Sequence, residues 1–398
     1  MTSRTVDRKR EELYPLAYCT NVHAGANFEQ MFANLRKYAP RVQQMRESKG
    51  PMGLGLWFSN RSVVEALKLE NSMTLREWLE EHSLVPFTAN AFPQHDFHQA
   101  VVKHAVYEPD WATAERAEYT LEVFRLMDTL APSGLEISVS TVPLGWPRFE
   151  IGTSDEDAFF QSCTKQLLSV CRWLEELERS SGRLAYLCIE PEPGCILDSS
   201  DDLVRFFQDW LLVDGARSEL VRRHLRVCHD ICHSAVMFES QAEAIERYRK
   251  SGIRIGKVQV SSAVEATFSG SAASNTESTL ALQKFIEPRY LHQTNVKRGD
   301  DVTFYEDLPN AFAAVADPAG TCWRVHFHVP IFVEHLGPLG TTNREIAEFV
   351  NALGTVEMPR HFEVETYAWS VLPESLASKD LAVGITAEMD WFKRLRGA

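Results

Sequence analysis

The sequence predicts an α/β chain closed as a (β/α)8 TIM barrel, with an insertion after the seventh strand, and three observations predict it. Short apolar runs, each followed by a stretch of helical periodicity, recur through the 398 residues, which is the beat of βα units around a parallel sheet. Most of these runs are apolar throughout rather than alternating, as strands covered on both faces are. Their carboxyl ends, by contrast, are polar, and barrel active sites are assembled on that face. No GxGxxG follows an early strand and no solenoid period repeats, which sets aside a dinucleotide-binding domain and a repeat array. Residues 1–398 therefore read as one barrel domain, within the size that barrels with insertions reach.

The eight runs are Leu16–His23, Gly53–Ser59, Leu84–Asn90, Leu135–Val142, Leu184–Glu190, Leu225–Asp230, Ile253–Ser261 and His361–Tyr367. Helices between them have legible ends. Asn27 with Gln30 forms a capping box before Phe28, Met31, Phe32 and Leu35, whose spacing makes one apolar face. Ser154 with Asp157 opens a second such helix, and Gly182 can stop it. The beat breaks once, over residues 266–340, read as an elaboration of the seventh βα loop. Within it FSGSAASNTEST reads as a mobile loop, Leu280–Ile286 as a helical piece, Asp301–Pro318 as irregular, and WRVHFHVPIF as an additional strand.

Three of the strand ends carry carboxylates: Glu190 in CIEPEP, Asp230 in VCHDICH and Glu365 in FEVETY. Burying an ionised carboxylate costs several kcal/mol unless it is paired, so three meeting at one mouth imply a compensating cation. The plainer reading, in which each acid caps a helix or pairs with an arginine, explains one such acid more easily than three. An oxygen-rich ligand set suits Mn, Mg or Co, with Zn also accommodated.

CIEPEPG at the fifth strand, D-x-x-H in HDICH at the sixth and ETY at the eighth resemble the sugar isomerase and epimerase superfamily of xylose-isomerase-like barrels. The resemblance implies a divalent metal held by Glu190, Asp230, a third ligand and Glu365. It implies Glu190 and Glu365 as the acid and base acting on substrate, with His233 as a substrate-contacting histidine. The third ligand departs from the pattern: GKVQVSSA places Gln259 where the superfamily has histidine. Either its amide oxygen coordinates or the ligand comes from HFHVPIF, where alternation puts His326 and His328 on one face and His328 nearer the strand end. More narrowly, AYCTNVHAGANFEQMFANLRKY, NAFPQHDFH, VCHDICHSAV, VQVSSA, HFHVPIF and VETYAW together resemble the EboE-type metabolite-traffic family over nearly the full chain. That resemblance implies handling of a secondary-metabolite precursor, with membrane-protein partners.

Substrate contacts are expected from His23, Asn90, His95, Glu192, His326 and Tyr367, with Asn21 and His23 at the first strand end also orienting their neighbours. Tyr367, Trp57, Phe92 and Trp369 suggest an aromatic pocket larger than a plain sugar needs. Cys228-x3-Cys232-His233 is set aside as a zinc motif, since no second cysteine pair matches it. No GxSxG elbow is present. The preferred activity is isomerisation or epimerisation of a small polyol or metabolite precursor. The alternatives are a non-catalytic metal-containing binding or traffic protein, and metal-assisted phosphoester hydrolysis, against which too few histidines cluster in sequence.

A formal charge of −14 repels phosphate backbones and anionic headgroups, so neither nucleic acid nor a membrane surface is an expected partner. No apolar stretch is long enough to insert in a bilayer, the first residues lack a signal-peptide core, and the eight cysteines read as buried free thiols. The cytoplasm is the expected compartment and a homodimer the base-rate assembly.

Overall fold

The computed structural model describes residues 14–148, 153–355, 359–372 and 380–397. Seven strands come first: β1 (Ala17–Cys19), β2 (Met52–Trp57), β3 (Leu84–Asn90), β4 (Ile137–Thr141), β5 (Ala185–Ile189), β6 (Leu225–Asp230) and β7 (Ile255–Val260). An inserted set follows, β8 (Val264–Thr267), β9 (Thr294–Arg298), β10 (Asp301–Tyr305), β11 (Cys322–Val325), β12 (His335–Leu336) and β13 (Leu339–Thr341), before β14 (His361–Val364). Strands β1 to β7 and β14 close into a parallel barrel, with β1 hydrogen-bonded to both β2 and β14. All eight expected runs are thus barrel strands, in the expected order. The fold is a (β/α)8 barrel.

Alternation along each strand divides the barrel into two environments. Residues such as Leu54, Leu56, Val139, Leu187, Val227, Val258, Phe362 and Val364 join the main apolar cluster beneath the helices, each burial worth about 1.5–3 kcal/mol. Their alternating neighbours meet inside the barrel, and these are largely polar. Thr88 bonds Ser138, Ser138 bonds His361, and the Arg226 guanidinium lies 3.5 Å over the Tyr186 ring. An apolar run in sequence therefore did not mean an apolar barrel interior.

The helix ends follow their sequence signals, except that the N-cap of the second helix is Thr153, one residue before the expected Ser154. Asn27 accepts from the Gln30 amide, and the helix opening at Ser154 runs to Ser181, where Gly182 takes a left-handed φ of 73°.

The insertion is more ordered than its composition suggests. Strands β8 to β13 form a six-stranded sheet in the order β10-β9-β11-β8-β13-β12, with antiparallel pairing throughout. The Ser- and Thr-rich stretch expected as a mobile loop is a helix, Ala272–Leu282, capped by Ser271 and anchored by buried Leu282. Good helix formers behind an N-cap outweighed the loop-like composition. The expected irregular stretch holds β10 and a helix, Leu308–Ala314, capped by Asp307. The WRVHFHVPIF run is strand only as far as Val325; His326 and His328 lie beyond β11. Trp323, Val325, Phe327 and Val329 bury the sheet against Trp57, Tyr367 and Trp369 in a second apolar cluster, which joins the insertion to the carboxyl end of the barrel. Among the described residues no helix is long and apolar enough to cross a membrane. All eight cysteines are free thiols; seven are buried and Cys322 is half-buried.

Candidate metal centre

The site is best built from the barrel floor upward. Lys257 on β7 is fully buried and bonds Glu363 on β14 at 2.6 Å, with further contacts to Ser140 Oγ and the Ala89 carbonyl at 3.2 Å. Burial opposes the Lys257 ammonium, but Glu363 beside it holds its pKa above the usual lysine value. Room for the pair comes from Gly55: a Cβ there would sit 1.1 Å from Glu363 Oε1. Two residues further along the same strands stand Gln259 and Glu365, so the buried ion pair lies directly beneath the candidate ligands.

Glu190, Asp230 and Glu365 offer oxygens that all lie within 4.8 Å of one another, and all three are buried. Asp230 does cap a helix, as the plainer reading of such an acid has it. Its Oδ1 caps the short helix Ile231–Val236 by accepting from the His233 amide at 2.9 Å, and accepts from Ser261 Oγ at 2.7 Å. Its Oδ2 has no partner, and neither does Glu190 Oε2. Glu365 Oε1 is held by Asn21 Nδ2 at 2.7 Å and Asn90 Nδ2 at 3.0 Å. Both polar atoms of Gln259, buried and paired in register with Asp230 and Glu363, are likewise without a partner. Buried polar groups are normally satisfied, so a cluster of orphaned oxygens at one place fits a cation. The residues present match the group the sequence implied.

The electrostatics agree. Burial first, then Glu365 and Asp230, pushes the Glu190 carboxyl well above the usual range, with Lys257 opposing. Burial, followed by Asp230 and Glu363, does the same to Glu365. Asp230 is also raised, by burial, against the opposing influence of His328 and its hydrogen bonds. Without a cation, burial and mutual repulsion favour the protonated form of each acid.

Beside the acids, His233, His326 and His328 converge, with Nε2 atoms 3.2 Å apart between His233 and His326 and 3.3 Å apart between His326 and His328. The histidine cluster that the sequence did not show is therefore present. Cys232 also offers a donor within 4.8 Å of the last two, whereas Cys228 packs with Tyr186 and Cys188 inside the barrel, so the Cys-x3-Cys-His spacing does not act as a unit. Glu192 accepts from Tyr107 at 2.7 Å and Gln293 at 2.8 Å, and burial pushes its carboxyl up to about 7.

These groups face a cavity with about 530 Å³ of free space. Glu190, Glu192, His233, His326, His328, Glu365 and Asn90 reach it, as does Tyr367, while Phe92, Phe97 and Tyr290 supply aromatic wall. Two expected contacts fall elsewhere. His95 is exposed on the loop after β3 and is not part of the wall. His23 packs between Tyr18 and Tyr38, because the 3-10 turn Thr20–Val22 breaks the strand alternation that would have aimed it beside Asn21. Asn90 uses its amide to hold Glu365, and its carbonyl oxygen accepts from the Phe92 amide. Trp57 and Trp369 also stay out of the wall, their indole N–H groups bonded to the Pro93 carbonyl and to Glu388. Sequence reasoning missed Lys257, Glu363, Gln293 and Tyr107. A lone lysine in the apolar GKVQV run was a readable signal for the first.

Among solved structures, the chain is similar to a xylose isomerase-like TIM barrel protein from Mycobacterium smegmatis in complex with magnesium, with TM-score 0.52, 9% identity and 96% of each chain covered. It is also similar to a xylose isomerase domain protein from Planctomyces limnophilus, with TM-score 0.50, 12% identity, and 96% of this chain and 98% of that one covered. At such identities the likeness establishes the fold. No protein-family model matches the sequence, and no curated protein matches it significantly.

Proposed function

We propose that the protein is a divalent-metal-dependent isomerase or epimerase acting on a small polyol or a secondary-metabolite precursor. One observation carries the reading: Glu190, Asp230 and Glu365 meet at the barrel mouth, with Glu190 Oε2 and Asp230 Oδ2 orphaned, beside an aromatic-walled cavity. Those three acids, with the Gln259 amide oxygen as a neutral fourth donor, would hold the cation. His328 is the weaker choice for that place, because its Nε2 faces His326. When bound, the cation supplies Lewis-acid stabilisation of negative charge on a substrate oxygen.

The chain's own groups do the rest. Glu190 presents a free oxygen to the cavity side and Glu365 is fixed by two asparagine amides, so a proton at a substrate carbon can be taken by one and returned by the other. Burial and neighbouring acids raise both carboxyls above the usual range, which favours proton uptake by either one. Phe92, Phe97, Tyr290 and Tyr367 exclude water and offer ring faces to the substrate. The EboE-type resemblance points the substrate class toward a metabolite precursor and the partners toward membrane proteins.

Binding and traffic without turnover is the second reading, favoured by Gln259, an amide in place of a stronger imidazole ligand. Solvent exchange separates the two. Metal-loaded protein in heavy water is expected to place deuterium on the carbon next to the carbonyl of a ketose or metabolite substrate, and Glu365→Gln to abolish it. Stoichiometric metal with no exchange across a panel of such substrates favours traffic, and release of phosphate from a phosphoester would favour hydrolysis.

A further inference from the structure

We infer that the substrate carries an uncharged apolar substituent, aryl or branched alkyl, seated against the loop between β3 and the next helix while its polyol head faces the acids, and that it is not a phosphate ester.

That loop builds most of one wall. Residues 91–113 join β3 to the helix Ala114–Leu130. Phe92, Pro93, Phe97, Val102 and Val106 of the loop all line the cavity, and the insertion adds Leu291. The loop has polar residues too, but they turn elsewhere. Gln94 bonds Glu115, His98 Nε2 meets the Asn21 carbonyl oxygen at 2.7 Å, and His95 and Asp96 stay out of the wall.

The polar atoms of the remaining neighbours are already committed. Tyr290 donates its hydroxyl to the Phe97 carbonyl at 3.1 Å, and Tyr107 donates to Glu192 at 2.7 Å. The Lys103 ammonium is held by Asp307 at 2.6 Å and by the Tyr290 carbonyl at 3.2 Å. What these side chains leave for a ligand is ring face and hydrocarbon.

The wall also holds its shape by itself. The Arg289 carbonyl accepts from the Val102 and Lys103 amides at 2.7 and 3.0 Å, and the Phe97 ring lies 4.9 Å from Tyr290 and 5.4 Å from Tyr367. A preformed apolar surface adds affinity only for a ligand part that covers it and takes it out of water. A bare polyol does the opposite there, since a hydroxyl pressed against hydrocarbon loses its hydrogen bonds to water and finds no replacement.

Charge argues against a phosphate. Among the described lining residues Lys103 is the one cation, and Asp307 already neutralises it, while Glu190, Glu192 and Glu365 face the same space. Phosphate recognition relies on free cationic donors, arginine above all. The inference rests on the reading of the acids as the reacting end and goes beyond it by assigning the other end of the substrate.

Titration calorimetry on the Mn2+-loaded protein with xylitol, its mono-O-benzyl ether and its monophosphate ester tests it without turnover. The benzyl ether is expected to bind at least about tenfold tighter than xylitol, because even one methylene in an apolar pocket is worth that much. The phosphate ester should bind no tighter than xylitol. Val106 is half-buried on the wall, so Val106→Asn tests the place without emptying the core; it should shrink the ratio of benzyl ether to xylitol affinity severalfold. Three ligands that bind alike or not at all, a phosphate ester that binds tightest, or a ratio that Val106→Asn leaves unchanged would each overturn the inference. Failure of the isomerase reading appears separately, as absent solvent exchange with the binding ratios intact.

Discussion

Loading the acid centre should expel protons, and the number expelled follows from the burial of two side chains. Glu190 and Glu365 have carboxyl pKa values well above the usual range in the metal-free protein, from burial first and from neighbouring acids second. A raised carboxyl pKa means that the fold binds the proton more tightly than the unfolded chain does. Its contribution to stability is therefore fully present below the ordinary carboxyl value and is lost as pH rises toward the folded one. A bound cation reverses the preference, since it needs both groups ionised. Each displaced proton makes metal affinity rise by about 1.4 kcal/mol per pH unit, so two give about 2.7 kcal/mol, or roughly a hundredfold, per unit. Titration calorimetry with Mn2+ in buffers of different ionisation enthalpy measures the release directly, and the metal-induced rise in Tm should widen with pH. Glu190→Gln should release about one proton fewer. Binding with no net proton release, and an affinity flat between about pH 6 and 7, would show that Lys257 already holds both acids ionised and would refute the reasoning.

Four other perturbations probe the supports of the site. Lys257→Met leaves Glu363 buried and uncompensated and should destabilise the fold by about 3–5 kcal/mol; adding Glu363→Gln should recover part of that loss in a denaturant titration. Gly55→Ala places a Cβ 1.1 Å from Glu363 Oε1 and should cost about 3 kcal/mol through forced movement of the pair, read as a lower Tm. Asn21→Ala removes the 2.7 Å donor to Glu365 and should weaken Mn2+ binding about 10- to 100-fold with little change in Tm. Glu388, bonded to Thr366, Trp369 and the Ile331 amide, has its carboxyl raised to about 7 by burial. Wild-type stability relative to Glu388→Gln should therefore fall as pH rises from about 4.5 to 7, by up to about 3 kcal/mol; a pH-independent difference would count against it.

How far the sequence could be read depended on the distance over which each feature is encoded. A buried parallel strand is written in consecutive residues, so all eight barrel strands, and the acids that end three of them, were legible from local runs. The interior was harder, because alternation says which residues share a face and not which face is inside. Lys257, Gln259 and Ser261 share one face of β7, yet only the barrel's closure brings Lys257 to Glu363, across 106 positions of chain, and the polar interior followed from that. The insertion misled for a different reason. Ser, Thr and Asn lower helix propensity only slightly, and one N-cap plus a buried Leu282 was enough to order a stretch that composition marked as loop. The histidine cluster was the least legible part. His233 and His326 stand 93 residues apart, on elements whose approach depends on the inserted sheet packing over the mouth. Period-two spacing was sufficient to pair His326 with His328 but could not supply the third ring. The same holds for Gln259 and His328: strand register sets Gln259 beside Asp230, whereas His328 reaches Asp230 and His326 from the inserted segment, a placement no local run encodes.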